Sequence, residues 1–240
     1  MGTTVSKRNP AAMKREKKTP TEDFLPLSFT IPADARDLAG FRRWSCSDAF
    51  PEHGQIFYLA GEIWVDMSPE RLNSHNKVKT EMGRILANVV VEQDLGEFFA
   101  DRTRLVHRAA DLSVEPDARF VSWASYESDL VKQIPTADEE DFIELEGSAD
   151  WVVEILSPSS EQKDTQRLMH LYHLAKIKEY WLIDARGAKI RFMPFRWQET
   201  GFEPIEAKGG WYPSAVFGRA FRWQRKKNRI GQWTYLLESR

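Results

Sequence analysis

Cysteine is almost absent from this sequence. Cys46 is the only one in 240 residues, so no internal disulfide bond can form and no cysteine-ligated zinc site can be built. Chains without disulfide bonds are typical of reducing compartments, and we therefore expect a cytoplasmic protein.

Long apolar runs and glycine-rich phosphate loops are also missing. No apolar stretch approaches the roughly 20 residues that a membrane-spanning helix needs. The first residues are polar and basic and lack the apolar centre of a secretory signal. Nucleotide hydrolysis of the P-loop type is disfavoured because no such motif is present. We expect no membrane partner.

Net charge is small, but it is unevenly distributed. The formal net charge is −2, whereas residues 1–18 carry six Lys and Arg against one acid, and residues 219–229 carry six with none. Such clusters are compatible with contact to a phosphate backbone and equally with a solvated surface. Residues 1–22 lack periodic apolar residues, so we expect a disordered basic tail over 1–22, followed by a single domain over 23–240.

The stretch from Trp151 to Asp184 has the clearest pattern. An apolar, β-branched run over 151–156 stops at Ser157-Pro158, which indicates a strand. Residues 161–176 carry apolar side chains at helical spacing, and a second apolar run follows at 180–184. Two strands joined through a helix are typically parallel neighbours in one sheet.

The rest of the chain alternates between helical and strand patterns. The predicted elements are a helix within 33–50, a hairpin over 57–67 with its turn at Ala60-Gly61, a helix over 75–93, strands at 98–100, 104–107 and 117–123, a long polar insert over 125–147, a strand at 189–193 that pairs with 180–184, strand-like pieces over 202–223, and a short helix or a further strand from 225. This order predicts an α/β fold with a central mixed β-sheet flanked by helices.

Two carboxylates stand out from these elements. Glu154 lies inside an apolar strand, and Asp117 follows Pro116 at the opening of another. If the strands are neighbours, both side chains project from one face, and a divalent ion such as Mg²⁺ would relieve their repulsion. An ion pair or a solvated strand face would also explain Glu154, and a glycosidase uses a similar pair of acids.

Several motifs, in order, resemble the Uma-two family of endonucleases, which belongs to the PD-(D/E)xK, restriction-endonuclease-like superfamily. The central pieces are Pro116-Asp117, Val153-Glu154-Ile155-Leu156-Ser157-Pro158-Ser159, Asp164, Tyr172 and Glu179-Tyr180-Trp181-Leu182-Ile183-Asp184. The outer pieces are Gly61-Glu62, Met67-Ser68-Pro69, His75 and Val216-Phe217-Gly218. The resemblance covers residues 55 to 220.

The resemblance implies a Mg²⁺- or Mn²⁺-dependent endonuclease acting on DNA. Asp117 and Glu154 would be metal ligands, with the Ile155 carbonyl as a third. Glu62 and Glu81 are candidates for a further acid near the site. Pairing two sites to cut two strands would require a homodimer, and the sequence identifies no interface for one.

The sequence departs from the family pattern at the lysine. The superfamily position two residues after Glu154 is Leu156, and the family's alternative on the next helix, four residues before Tyr172, is Leu168. Arg167 and Lys163 are the nearby cations. Adjacent helical residues point about 100° apart, so Arg167 would need a local shift to take the place of Leu168. Two functions therefore stay open, a metal-dependent endonuclease and an inactive nuclease-fold module that binds nucleic acid or a protein partner.

Overall fold

The computed structural model describes residues 29–240, and Ile31–Arg240 form one compact unit. The tail predicted over 1–22 lies outside the described residues. The helices are α1 (Leu38–Ser45), α2 (Lys77–Glu92), α3 (Trp123–Glu127) and α4 (Met169–Leu174), with π-helical turns at Leu72–Asn76 and Lys163–Leu168. The strands are β1 (Gln55–Leu59), β2 (Glu62–Asp66), β3 (Gly96–Ala100), β4 (Arg104–His107), β5 (Leu112–Val114), β6 (Ala118–Ser122), β7 (Val131–Pro135), β8 (Phe142–Gly147), β9 (Trp151–Ile155), β10 (Glu179–Asp184), β11 (Arg191–Gln198), β12 (Gly201–Pro204), β13 (Tyr212–Ser214), β14 (Arg219–Lys227) and β15 (Trp233–Ser239).

Two six-stranded mixed sheets form the body of the fold. The first has the order β2-β1-β5-β4-β8-β7 and the second the order β12-β11-β10-β9-β6-β3. In the second sheet β9 and β10 are parallel and joined through α4, while β6 runs antiparallel to β9. The mixed α/β fold predicted from the sequence is confirmed. A separate three-stranded sheet, β13-β14-β15, completes the chain.

The second sheet is buried on both faces, which explains why β9 is apolar without alternation. Val152 and Leu156 face one core cluster, which also contains Phe57 of the first sheet and Leu171 and Tyr172 of α4. The intervening residues of β9 face a second cluster, built with side chains of α2, β14 and β15: Trp151, Val153, Ile155, Met82, Leu86, Phe221 and Leu237. Alternation along β9 therefore points Glu154 toward the first sheet and α4.

The polar insert predicted over 125–147 is wrong. This segment contains most of α3 and the paired strands β7 and β8. Only Val131 and Leu145 supply buried apolar side chains on these two strands. The Glu144 and Glu146 side chains are instead neutralised by Arg42 of α1, at 2.6 and 2.7 Å. A local pattern cannot reveal this compensation because Arg42 lies about a hundred positions earlier in the chain.

The C-terminal residues form a strand, β15, rather than the short helix that was the other predicted form. The first helix is shorter than the predicted range 33–50 and begins at Leu38, where Asp37 accepts a hydrogen bond from Gly40 N at 2.8 Å as N-cap. Within residues 29–240 there is no helix of the length and apolar character that a bilayer crossing requires.

Glu179 connects the second sheet to the turn before β14. Its buried carboxylate accepts hydrogen bonds from Ser214 Oγ at 2.8 Å, Ala215 N at 2.7 Å and Val216 N at 3.1 Å. It also accepts from the Trp181 indole at 3.1 Å. Two motifs that are far apart in sequence, Glu-Tyr-Trp and Val-Phe-Gly, are therefore joined by one carboxylate.

We expect Glu179→Ala to lower the free energy of unfolding by about 3 kcal/mol, because buried donors lose their acceptor. Urea unfolding followed by tryptophan fluorescence measures the change. Glu203→Ala is the control, since Glu203 forms an exposed ion pair with Arg196 that should contribute less than about 1 kcal/mol. Equal losses in the two variants would contradict the anchoring role of Glu179.

Candidate active site

The structure brings the two predicted carboxylates together. Ala118 of β6 pairs with Val153 of β9 in antiparallel register, so Asp117, one residue before, lies opposite Glu154. Directly opposed residues of an antiparallel pair share a face. Asp117 and Glu154 are 4% and 5% exposed, and burying two neighbouring acids requires compensation from nearby groups.

Asp117 is compensated by one backbone donor and two cations. Its Oδ2 accepts a hydrogen bond from Ile155 N at 2.7 Å and lies 3.3 Å from His75 Nε2. Its Oδ1 lies 3.2 Å from Lys79 Nζ. Burial alone would raise the pKa of Asp117, but His75, Lys79 and the Ile155 amide outweigh it and hold this pKa well below its usual range. Asp117 is therefore ionised at neutral pH.

The pKa of Glu154 is shifted in the opposite direction. Burial, together with Asp164 and Asp117, raises the pKa of Glu154 to about 8, against the opposing effect of Lys163. Tyr172 of α4 donates its hydroxyl to Glu154 Oε1 at 2.7 Å and fixes the side chain. The pKa values of the two carboxylates are thus shifted in opposite directions, as is common for paired acids at functional sites.

Lys163 lies beneath this pair rather than on the exposed helix surface that its position suggested. Its side chain is 3% exposed, its Nζ is 2.7 Å from Asp164 Oδ1, and it lies over the Phe57 ring at 4.7 Å. Both Lys163 and Asp164 belong to the π-helical turn that precedes α4. A π-helical turn holds one residue more than an α-helical turn, and this extra residue turns the two side chains inward.

Arg167 and Glu62 pair with each other instead of with the central acids. The Arg167 guanidinium forms an ion pair with Glu62 and donates to Leu59 O at 2.6 Å. Among residues 29–240 neither side chain bonds to Asp117 or Glu154. The pair connects the β1–β2 hairpin to the turn before α4, and this contact packs the first sheet beside the site.

The remaining positions taken from the resemblance lie elsewhere. Glu81 forms an ion pair with Arg84 at 2.8 Å and accepts from Leu237 N at 3.1 Å, on the side of α2 that faces β15. Leu156 and Leu168, at the two expected lysine positions, are buried in the first core cluster. Neither place holds a cation.

Sequence reasoning missed three residues of the network around Asp117: Glu70, Lys79 and Asp101. Lys79 Nζ contacts Glu70 Oε1 at 2.7 Å and Asp101 Oδ2 at 3.2 Å in addition to Asp117. Glu70 also accepts from His75 Nδ1 at 2.6 Å, and Asp117 with its neighbours raises the pKa of His75 to about 9 despite the opposing effect of burial. His75, in the π-helical turn before α2, and Lys79, in the first turn of α2, are four residues apart, a spacing that places them on one helix face.

An open cleft of about 190 Å³ leads from the surface to these groups. Its walls are polar and charged: Asp66, Ser68, Glu70, Arg71, His75, Lys79, Asp101, Arg102 and Ser157. Lys79 therefore faces solvent through the cleft, whereas Lys163 lies in the interior. Glu115 also lines the cleft, so an entering ligand meets four acidic and four basic side chains.

Two sets of ligands fit a divalent cation. In the first, Asp117 and Glu154 supply hard oxygen donors, and these suit Mg²⁺ or Mn²⁺. The raised pKa of Glu154 beside Asp117 indicates two acids that a cation would relieve. In the second, ligand atoms of Glu70, His75 and Asp117 lie within 4.8 Å of one another. Lys79 contacts Asp117, which belongs to both sets, and Glu70, which belongs only to the second. Both acids of the second set are thus already paired with a cation, which favours the first.

Comparisons with known proteins bear on the family and the fold. Residues 38–221 match the family model of Uma2, described as "Putative restriction endonuclease". One similar solved structure is the crystal structure of a "putative nuclease" of the DUF820 family from Anabaena variabilis, with a TM-score of 0.55 and 21% identity over 76% of this chain and 90% of that chain. At this identity the likeness concerns the fold. No curated protein matches the chain.

Proposed function

From the premise that this chain belongs to the Uma2 family, as its motifs predicted, we propose that it is a metal-dependent endonuclease that hydrolyses phosphodiester bonds in DNA. The observation that carries the proposal is the pair Asp117 and Glu154, buried on one face of the second sheet behind an open cleft that is lined by both acidic and basic side chains. The cleft contains charged side chains and no Trp, Tyr or Phe, which disfavours a carbohydrate substrate.

Asp117, Glu154 and the Ile155 carbonyl are the proposed ligands of a Mg²⁺ or Mn²⁺ ion. Ile155 donates its N–H to Asp117, and the N–H and C=O of one strand residue point to the same side of the strand. The Ile155 carbonyl therefore faces the Asp117 edge of β9. An ion bound there would lower the pKa of a coordinated water and offset charge on the phosphate.

Lys79 is better placed than Lys163 or Arg167 to meet that phosphate. Its ammonium lies between Asp117 and the open cleft, so an incoming phosphate can replace Glu70 or Asp101 as its partner. Lys163 is enclosed by Asp164 and Phe57, and its role is to hold the buried acids in position. Arg167 is engaged by Glu62.

A second candidate function is a nuclease fold without chemistry that binds nucleic acid or a protein partner. The observation that favours it is the apolar core at both expected lysine positions, Leu156 and Leu168. The two functions differ in whether the protein binds a divalent ion at the two carboxylates, so metal binding separates them.

We expect calorimetric titration to show Mg²⁺ or Mn²⁺ binding that Glu154→Gln weakens at least about tenfold, since an amide is a poorer ligand than a carboxylate. The titration is repeated with a short DNA duplex, because Mg²⁺ often completes its shell with substrate phosphates. Glu203→Gln, on an exposed hairpin, is the matched control.

Glu70→Gln distinguishes the two ligand sets. If the ion occupies Glu70, His75 and Asp117, this variant loses binding and Glu154→Gln keeps it. Absence of binding in the wild-type protein, both with and without duplex, would favour the module without chemistry.

A further inference from the structure

The hairpin formed by β14 and β15 carries unneutralised positive charge. We define the basic hairpin as residues 225–233, with the cations Arg225, Lys226, Lys227 and Arg229. No Asp or Glu occurs between Arg219 and Leu237. Across residues 29–240 no carboxylate pairs with any of these four cations, whereas the neighbouring Arg222 is paired with Glu238 at 2.7 Å.

Aromatic stacking holds two of these cations in place. The Arg225 guanidinium lies 4.0 Å and the Lys227 ammonium 3.8 Å from the centroid of the Trp233 ring. Lys227 and Trp233 are directly opposite in the β14–β15 register. Side chains that are already ordered lose less conformational entropy when they bind a ligand. The charge is therefore presented on a fixed surface rather than on free side chains.

One end of the basic hairpin is fixed to the start of α2. Lys77 Nζ donates to Gln232 Oε1 and to Trp233 O, both at 3.2 Å. Lys79, which contacts Asp117, is two residues further along, or about 3 Å along the helix axis. Because residues two apart on a helix point about 200° apart, the basic hairpin contacts the side of α2 opposite to the side that faces Asp117.

The other anchor of the basic hairpin is the turn after β10. Arg225 Nη2 donates to Gly187 O at 2.9 Å and also to Ala188 O. The preceding Arg186 donates to Ser157 O at 3.2 Å, just beyond the end of β9. This second anchor therefore ties the basic hairpin, through the turn that contains Arg186, to the segment that follows β9, the strand that carries Glu154.

We propose that the basic hairpin binds the phosphate backbone of duplex DNA beside the cleavage site. This inference rests on the proposed function. Duplex DNA carries one negative charge per about 1.7 Å of its axis, so a bound duplex offers phosphates at the site and at the hairpin together. The family match ends at Phe221, before the basic hairpin begins. The basic hairpin is thus a feature of this chain beyond the matched region.

The surface favours DNA over an acidic protein. Protein interfaces typically have an apolar or aromatic centre that is depleted of charge. Here the exposed turn consists of Asn228, Arg229, Ile230, Gly231 and Gln232, and the Trp233 ring is already covered by cations. A two-stranded ribbon also has the dimensions of the major groove.

The test is the triple variant Lys226→Gln, Lys227→Gln and Arg229→Gln of the full chain. Fluorescence anisotropy with a labelled duplex, in chelator and between 50 and 200 mM salt, measures binding without cleavage. Each lost phosphate contact lowers the slope of log K against log salt by about 0.9, so we expect the slope to fall by about 2 to 3 and affinity at low salt to fall at least tenfold.

The matched control removes three exposed cations that already have carboxylate partners, Arg43→Gln, Lys132→Gln and Arg196→Gln. It is expected to keep the wild-type slope. An unchanged slope in the hairpin variant, or equal losses in both variants, overturns the proposed binding of DNA by the basic hairpin.

Metal-dependent DNA cleavage by the wild-type protein is measured separately and reports on the proposed function alone. If the wild-type protein cleaves DNA but the hairpin variant keeps the wild-type slope, DNA binding by the basic hairpin is refuted and the proposed function is left intact. Failure of the wild-type protein to bind or cleave DNA refutes both. Polyglutamate serves as the probe for an acidic protein. If it binds as tightly as the duplex and loses the same affinity in the hairpin variant, the surface is assigned to an acidic protein and DNA binding by the basic hairpin is refuted.

Discussion

Replacement of Asp117 by Asn is expected to lower metal-dependent cleavage of duplex DNA about a thousandfold. A neutral amide removes one of two anionic ligands, a loss of several kcal/mol in charge stabilisation, and each 1.36 kcal/mol corresponds to a factor of ten in rate. The Asn side-chain oxygen can still accept the Ile155 N–H that Asp117 accepts at 2.7 Å. The contact between β6 and β9 should therefore survive, and the rate should fall without unfolding.

Initial rates on a supercoiled plasmid in Mg²⁺ and in Mn²⁺ measure this effect, and circular dichroism checks the fold. Asp129→Asn is the control, because the Asp129 side chain is 80% exposed. A variant at Asp117 that cleaves as fast as the wild-type protein would place the chemistry elsewhere. A wild-type protein that binds DNA but does not cleave it would favour the module without chemistry.

The second large effect separates the two lysines. Lys79→Met is expected to lower the cleavage rate about a hundredfold, because a cation aimed at developing negative charge typically contributes 10²- to 10³-fold. Lys163→Met is expected to lower the free energy of unfolding by about 3 kcal/mol, since breaking a buried ion pair leaves Asp164 uncompensated. The rate is measured on duplex DNA and the stability by urea unfolding.

Lys79→Arg keeps the charge, so partial recovery of the rate would show that the positive charge matters. Lys132→Met, which removes an exposed lysine paired with Asp129, should change neither quantity. The assignment is reversed if Lys79→Met leaves the rate unchanged while Lys163→Met lowers it in a protein of normal stability.

The two central acids could be predicted from the sequence because Glu154 lies inside an apolar strand and Asp117 directly precedes another. The direction in which the Lys163 side chain points could not be predicted from the sequence. In a regular helix Lys163, nine residues before Tyr172, would point about 180° away from it, but a turn that absorbs one extra residue leaves about 80°. The π-helical turn at Lys163–Leu168 produces this change, and no local propensity of those residues announces it.

The contacts of His75 and Lys79 with Asp117 could not be predicted for a different reason. His75 and Lys79 share a helix face by their spacing, but that spacing does not say which strand the face meets. Their contact with Asp117 arises because α2 packs against the second sheet through Met82 and Leu86. Such a long-range contact follows from tertiary packing, which a single sequence pattern does not encode.

The buried charges beside Tyr172 also bear on how such a chain changes over generations. Charged groups held in an interior often reduce stability relative to apolar residues of similar volume, and Glu154, Lys163 and Asp164 are each at most 5% exposed. Substitutions that replace them together with apolar residues would therefore make the protein easier to fold. A protein that only bound DNA through its surface would have no reason to resist that drift. The stability lost to this buried set is therefore the structural cost that the proposed chemistry would require.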